Sequence, residues 1–358
     1  MYKSDYNSKA TEFLETNNLL RTKDDPTNTF QNKLRQTLKE CLTLIPPKNL
    51  YKYLNMNAPR LKALPKTHKP DIPIRPVIQH TTAPSQKIAK FISRVLNDKL
   101  PVNNPYSITN SKDLIQKIAS TNVTPHTKLV SVIRHQRSIH LNPPHEIITI
   151  LLKRLPNSFD CKTASEFIKI SKVILSQNYS QFNGNLYQAR KGLGMGNPTS
   201  AWFAELFLDE IEKTIVPTIK DKFNVTSYYR YVDDTICIIE DADNTASDIL
   251  NVLNAAHPNL TYTIESKTNN KLNFLDLTIE KTGQKLDFSI FRKPSYPSTT
   301  IHKTSNHPTS QKQSAYRYLI DRLQSCPLSL NNYEKELQII YQTATENGFS
   351  RADIDQKT

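Results

Sequence analysis

Two adjacent carboxylates, Asp233 and Asp234, interrupt a strand-forming run in YRYVDDTICII, Tyr229–Ile239. Like charges side by side repel, and a divalent cation is the usual device that holds them together. Carboxylate oxygens suit a hard ion such as Mg²⁺, which keeps part of its water shell and bridges to substrate phosphates. Two such ions about 3.5–4 Å apart activate an attacking hydroxyl and stabilise the leaving oxygen of in-line phosphoryl transfer. On its own the pair reads more readily as an exposed Asp-Asp turn that ends a strand.

Other residue types point the same way. The chain holds six glycines, and three of them, Gly192, Gly194 and Gly196, fall within KGLGMGNPTS (Lys191–Ser200). Glycines packed this closely allow a base pair or phosphate to approach the backbone, or serve a turn that needs positive φ. Lys plus Arg is 47 against 33 Asp plus Glu, a formal charge of +14 over 358 residues. That excess suits a polyanionic partner, most simply nucleic acid. The four cysteines, at 41, 161, 237 and 326, form no CxxC pair, so neither a zinc site nor a disulfide framework is signalled. No apolar run has signal-peptide character or the length of about 20 residues that spans a bilayer. The expectation is an intracellular protein with reduced thiols and no membrane partner.

These residues need elements to position them. PRLKALPKTHKPDIPIRPVI (Pro59–Ile78) carries five prolines and reads as extended segments joined by turns. Helical spacing is present over Phe30–Ile45, Ala83–Leu100, Pro143–Leu155, Thr163–Asn178, Ala201–Val216 and Asn244–His257. A short helix over Ser111–Ser120 is expected to be capped by Ser111. KLVSVI (Lys128–Ile133) reads as a buried strand, and Arg134–Arg137 interrupts it. The residues around Asp233–Asp234 form one hairpin, and Lys271–Pro294 a second with TGQ between its runs. From Thr309 the pattern is helical and basic. The length implies two or three lobes, and the element order an α+β class.

YVDD at Tyr231–Asp234 resembles the signature of reverse transcriptases. GLGMGNPTS (Gly192–Ser200) with AWFAELFL resembles the turn and helix upstream of it. LPKTHKP (Leu64–Pro70) and IRPVI (Ile74–Ile78) resemble the fingers motifs, and LNFLDLTI (Leu272–Ile279) and FSIFRKPSY (Phe288–Tyr296) the strands after the active site, primer grip included. The set and its order are similar to the reverse transcriptases of Penelope-like retroelements over roughly Leu61–Arg322. The resemblance implies the polymerase right-hand fold, with an N-terminal helical extension over 1–55 and fingers over 56–125. The palm would occupy 126–285, with 141–200 partly fingers, and the primer-grip hairpin and a partial helical thumb 286–358. No GIY-YIG nuclease motif is present.

By resemblance the chain is an RNA-directed DNA polymerase using Mg²⁺ or Mn²⁺, an RNA template, a DNA primer and dNTPs in a basic cleft, and it resides in the nucleus. Asp233 and Asp234 are the catalytic, metal-binding dyad. Arg75 and Lys66 contact the incoming triphosphate; for Lys66 a solvated lysine is the equal alternative. Gly194, Met195 and Gly196 line the nucleotide. Tyr231, Gly192, Arg292 and Lys293 face template and primer. Lys267 or Lys271 is the general acid.

One departure is large. A third carboxylate is expected on the first palm strand, after KLVS (Lys128–Ser131), yet VIRHQRSIHLNPP follows, with no Asp or Glu between Ser120 and Glu146. The expected metal ligand falls near Ile133, and the palm strand itself is expected to be disrupted there, with Val132–Arg137 either a short out-of-frame segment or a genuine variant. The alternative function is therefore a degenerate copy that keeps fold and nucleic-acid binding but is catalytically impaired.

Overall fold

The structure, a computed structural model, describes residues 2–17, 19–66, 72–135, 143–189, 196–240, 245–268, 270–293 and 296–355. The chain opens with α1 (Lys3–Thr16), β1 (Leu19–Thr22) and α2 (Thr27–Glu40). The proline-rich stretch forms β2 (Arg60–Pro65) and β3 (Ile74–Gln79), and α3 (Gln86–Lys99) follows. After α4 (Ser111–Ile118) and β4 (Thr127–Arg134) come α5 (Pro144–Arg154), α6 (Cys161–Leu175), β5 (Tyr179–Phe182) and β6 (Asn185–Ala189). The long α7 (Ser200–Phe223) leads into β7 (Val225–Tyr231) and β8 (Asp234–Glu240). Next are α8 (Thr245–Ala255), β9 (Tyr262–Thr268), β10 (Lys271–Phe274), β11 (Leu277–Thr282) and β12 (Lys285–Ile290). Three helices close the chain: α9 (Thr309–Ser325), α10 (Leu330–Glu346) and α11 (Arg351–Asp355).

Two compact units result, residues 1–104 with 136–214, and 105–135 with 215–358. The first holds a five-stranded sheet in the order β1-β6-β5-β2-β3. Pro76 is tolerated because β3 is an edge strand, where a missing N–H breaks no ladder. Alternation gives this sheet two faces. Leu61, Ala63 and Ile78 cluster with Ala10 and Leu14 of α1, while Arg60, Lys62, Arg75 and Gln79 face water. Gly196 has φ +110°, and a Cβ built on it would lie 2.0 Å from the Ile78 carbonyl oxygen. A glycine is therefore required there by the approach of another stretch of this unit's own backbone.

The second unit is built on a four-stranded antiparallel sheet, β7-β8-β4-β9. β4 lies between β8 and β9, and Leu129, Val130 and Val132 are buried. The expected disruption at Arg134 does not occur. Its N–H donates to the Asp233 carbonyl (2.8 Å), and the His135 N–H to that of Thr261 (2.7 Å). Both neighbouring strands thus satisfy the backbone past the apolar run. Gln136 and Arg137 lie outside the described residues.

A second antiparallel sheet, β10-β11-β12, and α4 share one core with the four-stranded sheet. Leu114, Ile115 and Ile118 meet Leu129, Ile236, Ile238, Phe274, Ile279 and Phe288 there. Asn110, not Ser111, caps α4: its side chain accepts from the Asp113 N–H at 2.9 Å. Ser111 instead donates to Asp276. α9, α10 and α11 form a cluster of their own around Tyr316, Ile320, Ile340 and Phe349.

Candidate active-site hairpin

The dyad sits at a tight hairpin. Tyr231 pairs with Asp234 across β7 and β8, leaving Val232 and Asp233 as the two-residue turn. Val232 has φ +54° and is 56% exposed. A β-branched residue in the left-handed region is strained, and such strain persists only where the surroundings over-determine it. Arg230, fully buried, donates to the Val232 carbonyl at 3.3 Å and helps to hold the turn. Its backbone N–H and C=O are tied to Tyr106 and Ile108 (2.7 and 2.9 Å).

Across the sheet, Ile133 is the residue whose Cα pairs with Asp234. An apolar side chain thus stands at the strand position where the third carboxylate is expected. Arg134 follows. Its guanidinium is only 4% exposed and donates to the Asp233 carboxylate at 2.5 Å. A full positive charge supplied by the protein therefore sits on one member of the dyad. Guanidinium and carboxylate make a short, charge-assisted hydrogen bond, and burial makes each ion dependent on the other.

The other member is left with negative company. Burial, then the nearby Glu265 and Asp233 carboxylates, push the Asp234 carboxyl above the usual range, and Lys293 partly offsets this. Glu265, on β9, accepts from the Ser131 hydroxyl at 3.3 Å. The imidazole of His135 is hydrogen-bonded to Thr263 (2.5 Å) on the same strand.

This set does not fit a pair of divalent ions. The position on β4 where the resemblance expects a metal-binding carboxylate holds Ile133, and a guanidinium bound to Asp233 follows it. Among the described residues no group of three or more His, Cys, Asp or Glu is arranged to hold a metal ion.

The remaining predicted residues are distributed as follows. Tyr231 is half-buried against the core of its unit. Arg75 is exposed on β3, opposite Leu64, and Lys66 follows β2, its N–H bonded to the Pro73 carbonyl at 3.0 Å. Gly192, Gly194 and Met195 lie outside the described residues, while Gly196 packs against Ile78. Arg292 is bound by both its terminal nitrogens to Glu336 at 2.5 Å, and Lys293 is exposed. Lys271 lies 3.6 Å from Glu280; the side chain of Lys267 is not among those the structure describes. Sequence reasoning missed β9 with Glu265, although Tyr262 and Ile264 alternate with polar residues there. It also read Arg134 as a strand breaker and not as a partner for Asp233.

Solved structures place the fold. Telomerase from Candida albicans in complex with a TWJ fragment of telomeric RNA superposes with a TM-score of 0.59 at 11% identity. The match covers 99% of this chain and 61% of that one. Telomerase from Candida tropicalis with the same kind of RNA fragment gives 0.55 at 11%, over 99% and 58%. The BmCPV RNA-dependent RNA polymerase at elongation state gives 0.53 at 11%, over 96% and 32%. The chain thus spans about three fifths of the first telomerase and a third of the viral enzyme. Residues 299–358 match the animal helix-turn-helix domain family. No curated protein matches the sequence. The fold defines the class: an α+β, reverse-transcriptase-like right-hand polymerase fold, with the YVDD hairpin on its antiparallel sheet.

Proposed function

We propose that this chain is the reverse-transcriptase core of a Penelope-like retroelement protein, one that binds RNA template and DNA primer but is impaired in templated DNA synthesis. The observation that carries this reading is the Arg134–Asp233 ion pair beside Ile133. The dyad of such an enzyme holds Mg²⁺ or Mn²⁺ and through it the dNTP. Here the position that would supply the third ligand is apolar, and the next residue neutralises Asp233. Loss of a bridging ligand removes on the order of 4 kcal/mol of transition-state stabilisation, or about a thousandfold in rate.

Binding tolerates substitutions better than catalysis does. Phosphate contacts from many Lys and Arg add up, and each is individually dispensable. The +14 charge supports such contacts, and the telomerases solved with an RNA fragment share the fold.

Primer extension with Mg²⁺ or Mn²⁺ tests the proposal, run beside a binding measurement on the same template-primer. The expected result is salt-sensitive binding without extension, and gain of extension when Phe-Asp-Val replaces Val132-Ile133-Arg134. Robust extension by the unmodified chain overturns the impaired reading. It would favour the second one, an active RNA-directed DNA polymerase, whose supporting observation is the intact Asp233–Asp234 hairpin in this fold. Salt-insensitive binding, or none, would count against nucleic acid as the partner.

A further inference from the structure

Within the second unit a buried carboxylate organises two exposed tyrosines. Glu336, on α10, is 3% exposed. It receives both terminal nitrogens of Arg292 at 2.5 Å and one from Arg322, on α9, at 3.5 Å. The same Arg322 lies 3.6 Å from Asp276. Each guanidinium in turn lies against an aromatic ring. Arg292 is 5.8 Å from the Tyr296 centroid, and Arg322 5.7 Å from that of Tyr318. Tyr296 is 47% and Tyr318 60% exposed.

The geometry is that of a platform and not of a core. A tyrosine that served packing would bury its ring, whereas these two keep theirs in water and are held from behind by cations. The two guanidiniums are committed to Glu336, so their role is to fix the rings. We infer that Tyr296 and Tyr318 are a stacking surface for unpaired bases of a single-stranded nucleic acid.

Three observations select that occupant. Every base has a π-face that stacks on an aromatic ring, whatever the sequence. Lys293, next to Arg292, is exposed and gives a phosphate a cation to meet. Arg317 is exposed next to Tyr318. The inference rests on nucleic acid being the partner and adds where the bases go.

The test uses the full chain and two probes of equal length and charge: a fluorescently labelled oligo(dT) 12-mer and its abasic counterpart. The wild type is expected to bind oligo(dT) more tightly. Tyr296→Ala and Tyr318→Ala should each weaken that binding about tenfold or more. They should leave abasic binding and the salt slope unchanged, because the phosphate contacts remain. Tyr→Phe at either position keeps the affinity. Equal wild-type affinity for the two probes, or Tyr→Ala variants that bind oligo(dT) like the wild type, overturns the platform but leaves nucleic-acid binding intact. A fall in abasic binding parallel to that of oligo(dT) assigns the tyrosines to folding and also overturns it. Failure of the wild type to bind either probe rejects both this inference and the reading beneath it.

Discussion

Asp233→Asn is the substitution whose sign separates an ion pair from a metal site. In a metal-free carboxylate cluster, removing one charge relieves repulsion and stabilises the fold. Here the same change strands the guanidinium of Arg134, which is 4% exposed. Removing one partner of a buried pair costs about 3–5 kcal/mol. Asp233 is 33% exposed, so water repays part of this, and Asp234 and Glu265 still supply negative charge nearby. The expected loss is about 2–3 kcal/mol, a fall in Tm of about 5–10 °C for a unit of this size. Asp234→Asn should do the opposite. Burial and two carboxylates already disfavour the Asp234 charge, so the neutral side chain leaves Tm unchanged or raises it slightly. Thermal unfolding in chelator reads both, and an Arg134→Met/Asp233→Asn cycle reads the coupling directly. A Tm that rises in Asp233→Asn, or a coupling near zero, refutes the ion-pair reasoning.

Three further outcomes follow from other positions. Gly196→Ala would place a Cβ 2.0 Å from the Ile78 carbonyl at a φ of +110°, and denaturant unfolding should show a loss of about 3 kcal/mol or more. Val232→Gly relieves the left-handed strain at the turn; about 1–2 kcal/mol of strain less the entropy cost of glycine gives a gain of about 0.5–1 kcal/mol in the same assay. His80 is 4% exposed and has no well-formed hydrogen bond at either ring nitrogen. Burial, slightly offset by the Ile78 backbone, pushes its pKa from 6.5 down to about 4. The unfolded chain therefore takes up the proton first. The neutral ring's stability is complete above pH 6.5 and is lost as pH falls towards 4, by about 3 kcal/mol. Stability measured against pH should lose this slope in His80→Gln.

Much of the framework is legible in local pattern. The dyad hairpin, the extended proline-rich strands and most helices follow from alternation, helical spacing and turn chemistry. Where reading failed, the cause was non-local or overlooked. Arg134 breaks the apolar pattern of β4 because its partner, Asp233, lies 99 residues away, and no window contains both. The cap of α4 fell to Asn110 because Ser111 is engaged by Asp276 of the three-stranded sheet. α7 continues through Pro217 to Phe223, beyond the expected end at Val216. The β5–β6 hairpin carried a clear signal: Asn183 and Gly184, with φ of +45° and +79°, form the Asn-Gly turn that favours such hairpins.

The central claim is that a protein cation, Arg134, and not a metal ion, holds the Asp233 carboxylate of the dyad. Mn²⁺ binding followed by electron paramagnetic resonance tests it most directly, with the wild type beside Asp233→Asn and the Phe-Asp-Val replacement at Val132–Arg134. The account predicts no Asp233-dependent Mn²⁺ binding in the wild type at submillimolar concentration, and its appearance in the replacement. Stoichiometric Mn²⁺ on the wild type that disappears in Asp233→Asn would contradict it.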